Sequence, residues 1–333
     1  MKFKFDVQVP ALENKILHTH KLFLIGSCFT ENIGDKLKKH KFTVLENPNG
    51  IIFNPVSVAE TIINCIENKV YTTDDLFELN EAWHSWQHHS KFSGITPQEA
   101  VTKINTSTKH THEYLKTTDF LIITLGSAWI YTLTQQAANA QVGTVAANNH
   151  KAPANWFERK LMDASQVITV LATMLDRLGK FNPNIQVIFT ISPVRHLREG
   201  AIDNNRSKAA LISAIHYLIE KLPKLYYFPA YELVIDDLRD YRFYAEDLVH
   251  PNYFATQYVW EKLVEACLAT DAITLLQQIA DINLAYQHHP FNTQSAQHKK
   301  FLAAYLEKTK QLQNQHSYLD FSREISYFST GEK

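Results

Sequence analysis

Two nucleophilic side chains, Ser27 and Cys28, stand directly behind a glycine that breaks a short apolar run, Lys21-Leu-Phe-Leu-Ile25-Gly26, and are followed by Phe29 and Thr30. A thiol or hydroxyl placed there lies at the start of the next helix, where unpaired N–H groups and the helix dipole favour a thiolate or an oxyanion. Far along the chain comes Asp247-Leu-Val-His250-Pro-Asn252. A carboxylate three residues before a histidine can fix the imidazole tautomer while the ring takes a proton from a nucleophile. Brought together, the two stretches suit acyl transfer through a covalent intermediate, with Cys28 or Ser27 attacking, His250 as general base and Asp247 as its orienter. Each stretch also has a plain reading. Ser27 can be a helix cap, and Asp247 and Asn252 can serve the backbone of a turn before a helix. Taken alone the plain readings are stronger; the pairing favours chemistry.

The elements that must position these residues follow a βα rhythm. Strands are expected at Lys21–Ile25, Phe42–Leu45, Asp119–Leu125, Ile185–Ile191 and Leu225–Phe228, because each is a short apolar run bounded by Gly, Asn or Pro. Between and after them the spacing predicts helices over about 30–40, 55–67, 97–115, 164–178, 207–221 and 253–269. This pattern is that of a three-layer, doubly wound α/β fold with a mainly parallel, five-stranded, flavodoxin-like sheet. A less regular insertion spans about 70–96. Residues 1–270 are expected to form one domain and 271–333 a helical C-terminal extension packing on the core or on a second copy of the chain.

Composition narrows the function classes. With 33 Lys+Arg against 34 Asp+Glu and no basic stripe, nucleic acid is not an expected partner. No stretch has the length of a membrane span, and Met1–Pro10 has no apolar core of signal-peptide length. The three cysteines, Cys28, Cys65 and Cys267, are odd in number and far apart, so a reduced cytoplasm is the simplest compartment. Cys65 and Cys267 read as packed thiols on helical faces. A thiol at position 28 facing His250 is expected to have a pKa below the free value of ~8.5. Of the sixteen histidines, His84, His88 and His89 sit among Trp83, Trp86 and Phe92. They read as an exposed loop before a pocket wall, and as a pocket wall before a metal site, since no metalloprotease-type Glu accompanies them. Arg195 and His196, behind the fourth strand, belong on the same rim as the nucleophile. Arg195 there holds a substrate carboxylate or phosphate, or pairs with an acidic neighbour such as Glu199. No dinucleotide or P-loop motif calls for an organic cofactor, and no metal is expected.

Gly26-Ser-Cys-Phe-Thr30 resembles the signature of the GSCFA domain family, with Thr30 in place of alanine. The resemblance extends through Asn47-Pro-Asn-Gly-Ile-Ile-Phe-Asn-Pro55, Thr124-Leu-Gly-Ser-Ala-Trp129, Asn149-His-Lys151, Ser192-Pro-Val-Arg-His196 and Asp247-x-x-His-Pro251, about residues 20–260 in all. That family is grouped with the SGNH or GDSL-type hydrolases. Laid on the SGNH pattern, the resemblance implies that Asp247 and His250 form the closing block and that Gly50 supplies a backbone oxyanion donor beside the N–H of residue 28. In that register Cys28, rather than Ser27, takes the nucleophile's place. The third block reads Gly126-Ser127-Ala128, without the usual oxyanion-binding Asn, so Ser127 or another side chain must replace it. Cys28, Gly50, Ser127, Arg195 and His250 are then expected in one cleft, with Gly126, His196 and His89 among its binding residues. The implied activity is an acyl ester hydrolase or acyltransferase, on a small-molecule ester or an acylated carbohydrate. The rival is a catalytically silent ligand-binding or interaction module of the same fold, and a homo-oligomer through the C-terminal helices is the expected self-association.

Overall fold

Strands that are mostly apolar along their length form where both faces of a sheet are covered, and the computed structural model, which describes residues 5–332, uses them that way. In chain order the strands are β1 (Lys21–Gly26), β2 (Thr43–Glu46), the hairpin pair β3 (Phe77–Leu79) and β4 (Ala82–His84), β5 (Phe120–Leu125), the hairpin pair β6 (Trp129–Leu133) and β7 (Phe157–Leu161), β8 (Gln186–Ile191) and β9 (Leu225–Tyr227). Five of them make one parallel sheet in the order β2-β1-β5-β8-β9. The helices are α1 (Cys28–Lys39), α2 (Pro55–Ile66), α3 (Pro97–Leu115), α4 (Ala164–Phe181), α5 (Ala201–Lys221), the single turn α6 (Ala230–Glu232), α7 (Tyr253–Cys267), α8 (Thr270–Gln287), α9 (Ala296–Gln315) and α10 (Ser322–Thr330).

Side chains alternate across the sheet. Leu22, Leu24, Phe120, Ile122 and Ile188 pack with Ile33 and Leu37 of α1 and Val259 and Leu263 of α7. Phe23, Ile25, Leu121, Ile123, Val187 and Phe189 pack on the other face with Val58 of α2, Leu171 and Met174 of α4, and Leu211 and Ile215 of α5. Full burial of one such side chain contributes about 1.5–3 kcal/mol, so the two layers hold the sheet as a stiff platform. The expected three-layer, doubly wound sheet is therefore present. In this strand order the chain leaves β1 toward β2 on one side and later returns to β5 on the other. Ligands of such sheets bind in the crevice beyond the carboxyl ends of the strands at that switch point.

Two helix starts and the two hairpins, β3–β4 and β6–β7, differ from the sequence expectation. Helix α1 begins at Cys28, not near Thr30, because Ser27 caps it; helix α5 begins at Ala201 rather than Ser207. The β6–β7 hairpin was not expected. Its second strand, Phe-Glu-Arg-Lys-Leu, exposes three charged residues and has no apolar run to betray it. At the C-terminal end α8 belongs to two clusters. Ala272 and Leu276 join the α1 side of the core, while Leu275, Ile279 and Ile282 pack with Leu312 of α9 and Phe321 and Phe328 around α10. Lys41, just beyond α1, ties the layers by bonding Glu324 at 2.9 Å and lying 4.5 Å from the centre of the Phe321 ring. Among the described residues no helix is long and apolar enough to cross a membrane.

Candidate functional site

The end of β1 is built around a backbone approach that only glycine permits. Gly26 has φ +148°, and a Cβ there would lie 2.2 Å from the carbonyl oxygen of Thr124 on β5. Its N–H donates to the Asn47 side-chain oxygen at 2.9 Å. The next residue turns the chain into α1. Ser27 is 2 % exposed, and its Oγ accepts the Phe29 N–H at 3.3 Å, so the hydroxyl is committed to the helix cap. Cys28 is the first helical residue and only half-buried, and among the described residues no other residue accepts its N–H. Burial and then the nearby Glu31 carboxylate push the Cys28 thiol up, while the backbone N–H groups of Phe29 and Cys28, and after them Lys208, pull the other way. That direction is opposite to the depressed thiol expected from the sequence, because the cost of desolvating a thiolate outweighs the helix N-terminus here.

The closing loop is held at many points. His250 Nδ1 and Asp247 Oδ2 are 2.6 Å apart, and Asp247 Oδ1 accepts the N–H groups of Val249 and His250 at 2.9 and 3.0 Å. These bonds keep the Asp247 carboxyl ionised, with its pKa lowered to about 2. Leu248 takes φ +55°, an uncommon conformation for a branched side chain. The turn persists because Ala245 donates to the His250 carbonyl at 2.8 Å, Asn252 donates to the Phe243 carbonyl at 2.9 Å, and Asn252 caps α7. His250 is half exposed, and its Nε2 makes no hydrogen bond to Cys28, Ser27 or any other described residue.

Arg195 belongs to this loop's support. Its backbone N–H reaches the Val249 carbonyl at 3.2 Å, and Nη1 reaches the Leu248 carbonyl at 3.3 Å. The guanidinium lies 4.0 Å from the centre of the Tyr244 ring and 5.2 Å from that of Tyr241. The side chain of Glu199, its expected acidic neighbour, lies outside the described residues. His196 turns the other way, stacking on Phe53 with ring centres 4.8 Å apart. Burial, then Lys208 and His250, lower its pKa to about 4, and its buried Nε2 has no hydrogen bond. Gly126 makes room for that ring, since a Cβ there would meet His196 Nε2 at 3.0 Å.

The remaining rim residues are engaged locally. The Gly50 N–H, expected as an oxyanion donor, is given to the Asn47 carbonyl at 2.8 Å in a tight turn. With φ +85° and the His89 Cβ only 2.1 Å from where its own Cβ would be, Gly50 is the seat on which His89 rests. Ser127 Oγ accepts the Trp129 N–H at 3.1 Å and lies 3.2 Å from Ser207 Oγ. His88 of the insertion and His150 of the β6–β7 loop are buried and bonded at Ser85, with His84 on Ser93. Among the described residues no group of three or more His, Cys, Asp or Glu is arranged to hold a metal ion.

The expected residues thus follow carboxyl ends of the central strands or belong to the loops beside them. A cavity of about 260 Å³ is lined by Phe53, Ser127, Trp129, Asn149 and His196. A second, of about 280 Å³, holds Arg195 with Tyr241 and Tyr244; Cys28, Gly50 and His250 line neither. One residue at the heart of this edge was missed, Lys208 of α5, whose buried Nζ donates to the carbonyls of Gly126 at 2.6 Å and Ser192 at 2.7 Å. The signal was available. Lys208 falls on the stripe of Leu211, Ile215 and Leu218, a cation on the apolar face of its helix.

Comparison with known proteins gives two family matches. The GSCFA family matches residues 21–263, and the C-terminal domain of GSCFA domain proteins matches residues 279–332. No curated protein matches the sequence. Among solved structures, a carbohydrate esterase family 3 protein from Talaromyces cellulolyticus is 10% identical over 79% of this chain and 99% of its own, with a TM-score of 0.35. An acetyl xylan esterase, Est2A, from the rumen bacterium Butyrivibrio proteoclasticus is 13% identical over 76% of this chain and 64% of its own, with a TM-score of 0.37. Likeness at this level carries no argument about chemistry.

Proposed function

This chain belongs to the GSCFA family, and from that membership and the geometry of the carboxyl edge we propose that it is an acyl ester hydrolase or acyltransferase working through an acyl-enzyme on Cys28. The observation that carries the reading is the Asp247–His250 pair. A histidine whose Nδ1 is fixed at 2.6 Å by a carboxylate, itself fixed by two backbone N–H groups, has one tautomer and one orientation. Its Nε2 is left for a proton.

In this mechanism the Cys28 thiol gives its proton to His250 Nε2, and Sγ attacks the ester carbonyl carbon. His250 returns the proton to the departing alcohol as the carbon–oxygen bond breaks, leaving a thioester. Water or a second alcohol, relieved of a proton by His250, then attacks the thioester and frees the thiol. The N–H of Cys28, which no other described residue accepts, supports a role as oxyanion donor; one such donor is worth about 3 kcal/mol of barrier. The substrate class is a small-molecule ester, an acylated carbohydrate being the specific form proposed, and a reducing compartment such as the cytoplasm suits a free catalytic thiol. A silent binding module is the second reading. It is favoured by the engaged Gly50 N–H and by the absence of a His250 hydrogen bond to Cys28 among the described residues.

The test is to incubate the full chain with an acetyl ester and an acetylated sugar, measuring acid release and the mass of the Cys28 peptide. Acid release with an acetyl adduct on that peptide, lost in His250→Ala, is the expected result. A folded protein that releases no acid and gains no adduct from any acyl ester would leave the binding module as the better reading.

A further inference from the structure

Lys208 is 1 % exposed, and among the described residues it has no carboxylate partner. Its ammonium is held by the two carbonyl oxygens at the ends of β5 and β8 and lies 5.9 Å from the centre of the Tyr231 ring. Carbonyl dipoles alone do not repay the loss of water around a buried charge, and its pKa falls to about 7, with Cys28 the group that works against the fall. The strand register brings the two together. Gly26 of β1 pairs with Thr124 of β5, and Cys28 and Gly126 each stand two residues beyond that pair. An ammonium hung from the Gly126 carbonyl therefore lies at the same carboxyl edge of the β1–β5 pair from which α1 starts, within electrostatic reach of the Cys28 thiol. The other ionisable groups facing this pair are Glu31 on α1, which raises the Cys28 thiol, and His196 behind β8, which feels both Lys208 and His250.

We propose that Lys208 is the counter-cation of Cys28, a positioning residue whose buried ammonium makes room for one negative charge, the Cys28 thiolate, at the mouth of the β1–β5 crevice. The inference rests on the reading of Cys28 as the nucleophile. In it, His250 still accepts the thiol proton, and Lys208 keeps its own protons while the charge appears beside it. A merely structural Lys208 would serve only to tie the Gly126 and Ser192 carbonyls.

Iodoacetamide labelling of Cys28 in the full chain, followed from pH 6 to 10 by peptide mass, separates the two roles and needs no turnover. An inactive esterase therefore leaves this test standing. With Lys208→Gln, which keeps a donor without the charge, labelling at pH 6.5, where the Lys208 ammonium of the unsubstituted chain still holds its proton, is expected to slow about tenfold, the equivalent of a thiol midpoint raised by about one unit. Lys208→Arg should stay near the unsubstituted chain. A folded Lys208→Gln protein with an unchanged midpoint overturns the proposal. If neither variant folds, Cys28→Ala with Lys208 intact gives a second reading. Because the folded pKa of Lys208 lies below its unfolded value of about 10.4, folding stability gains as pH rises from the folded to the unfolded value. Removing Cys28 takes away the group that holds the folded value up, so the gain should begin at lower pH. A stability curve that begins its rise at the same pH in both proteins overturns the proposal as well.

Discussion

Substituting the two adjacent nucleophiles separates cap from chemistry. Ser27→Ala removes the oxygen that accepts the Phe29 N–H at 3.3 Å in a position 2 % exposed, and loss of a cap of this type costs about 1 kcal/mol. Unfolding entropy of roughly 2.1 cal/mol/K per residue amounts to about 0.7 kcal/mol/K for a chain of this length, so the melting midpoint should fall by only about 1–2 °C. Ester turnover should stay within about twofold of the unsubstituted chain, since a hydroxyl committed to the backbone is not attacking. Cys28→Ala leaves the cap untouched but should lower turnover by at least about 10³-fold, as removal of a covalent nucleophile does. Scanning calorimetry and initial rates on an acetyl ester check both. The reasoning is refuted if Ser27→Ala melts as expected yet abolishes turnover while Cys28→Ala keeps it. If both variants keep full activity, no acyl-enzyme forms on either side chain.

Three further outcomes are expected. Asp247→Asn should cut turnover by roughly 10²–10⁴-fold by freeing the His250 ring; because the Asp247 carboxyl stays ionised down to about pH 2, an acid limb of the pH–rate profile near neutrality that vanished in this variant would contradict the assignment. Gly50→Ala imposes a left-handed φ on an L-residue at a cost of about 1–2 kcal/mol and drives a methyl into His89, so its midpoint in thermal melts should drop by more than that of Ser27→Ala. Burial lowers the folded-state pKa of His18, His150 and His196 to about 4 and of His88 to about 3. The unfolded chain therefore binds more protons than the folded one below the ordinary value of about 6.5, and stability should be lost as pH falls from there toward 4; denaturant midpoints equal at pH 7 and pH 5 would show that these rings are not buried neutral.

The parts of this fold that were legible in the sequence are those where one physical demand dominates. Phe120–Leu125 and Gln186–Ile191 read as strands because burial on both faces leaves them mostly apolar, with Thr124 and Thr190 the buried polar exceptions. Pro97–Leu115 was bounded correctly because Thr96 and Pro97 supply cap and first-turn residues. The β6–β7 hairpin was hidden by the charges of Glu158, Arg159 and Lys160, whose strand conformation is imposed by pairing with Trp129–Leu133. At the site, residue types in the right order were visible in Cys28, Asp247 and His250, but how backbone groups are used was not. Nothing in Asn47-Pro-Asn-Gly50 announces that the glycine N–H closes its own turn, and nothing around Arg195 announces two tyrosine rings. Lys208 was legible as a cation on the apolar stripe of α5, but the carbonyl ends of strands that hold it were not.

The sheet's two outermost strands are also its shortest, four residues in β2 and three in β9. An open row of backbone donors and acceptors beside such apolar strands is a template for fibre growth between molecules. Here the template is too short to extend: β9 is hemmed by Pro223 and Pro229, and β2 ends at Glu46, whose carboxylate is tied to Lys38 at 2.8 Å. Brevity and charge at its margins thus oppose edge-to-edge pairing of the central sheet with another molecule.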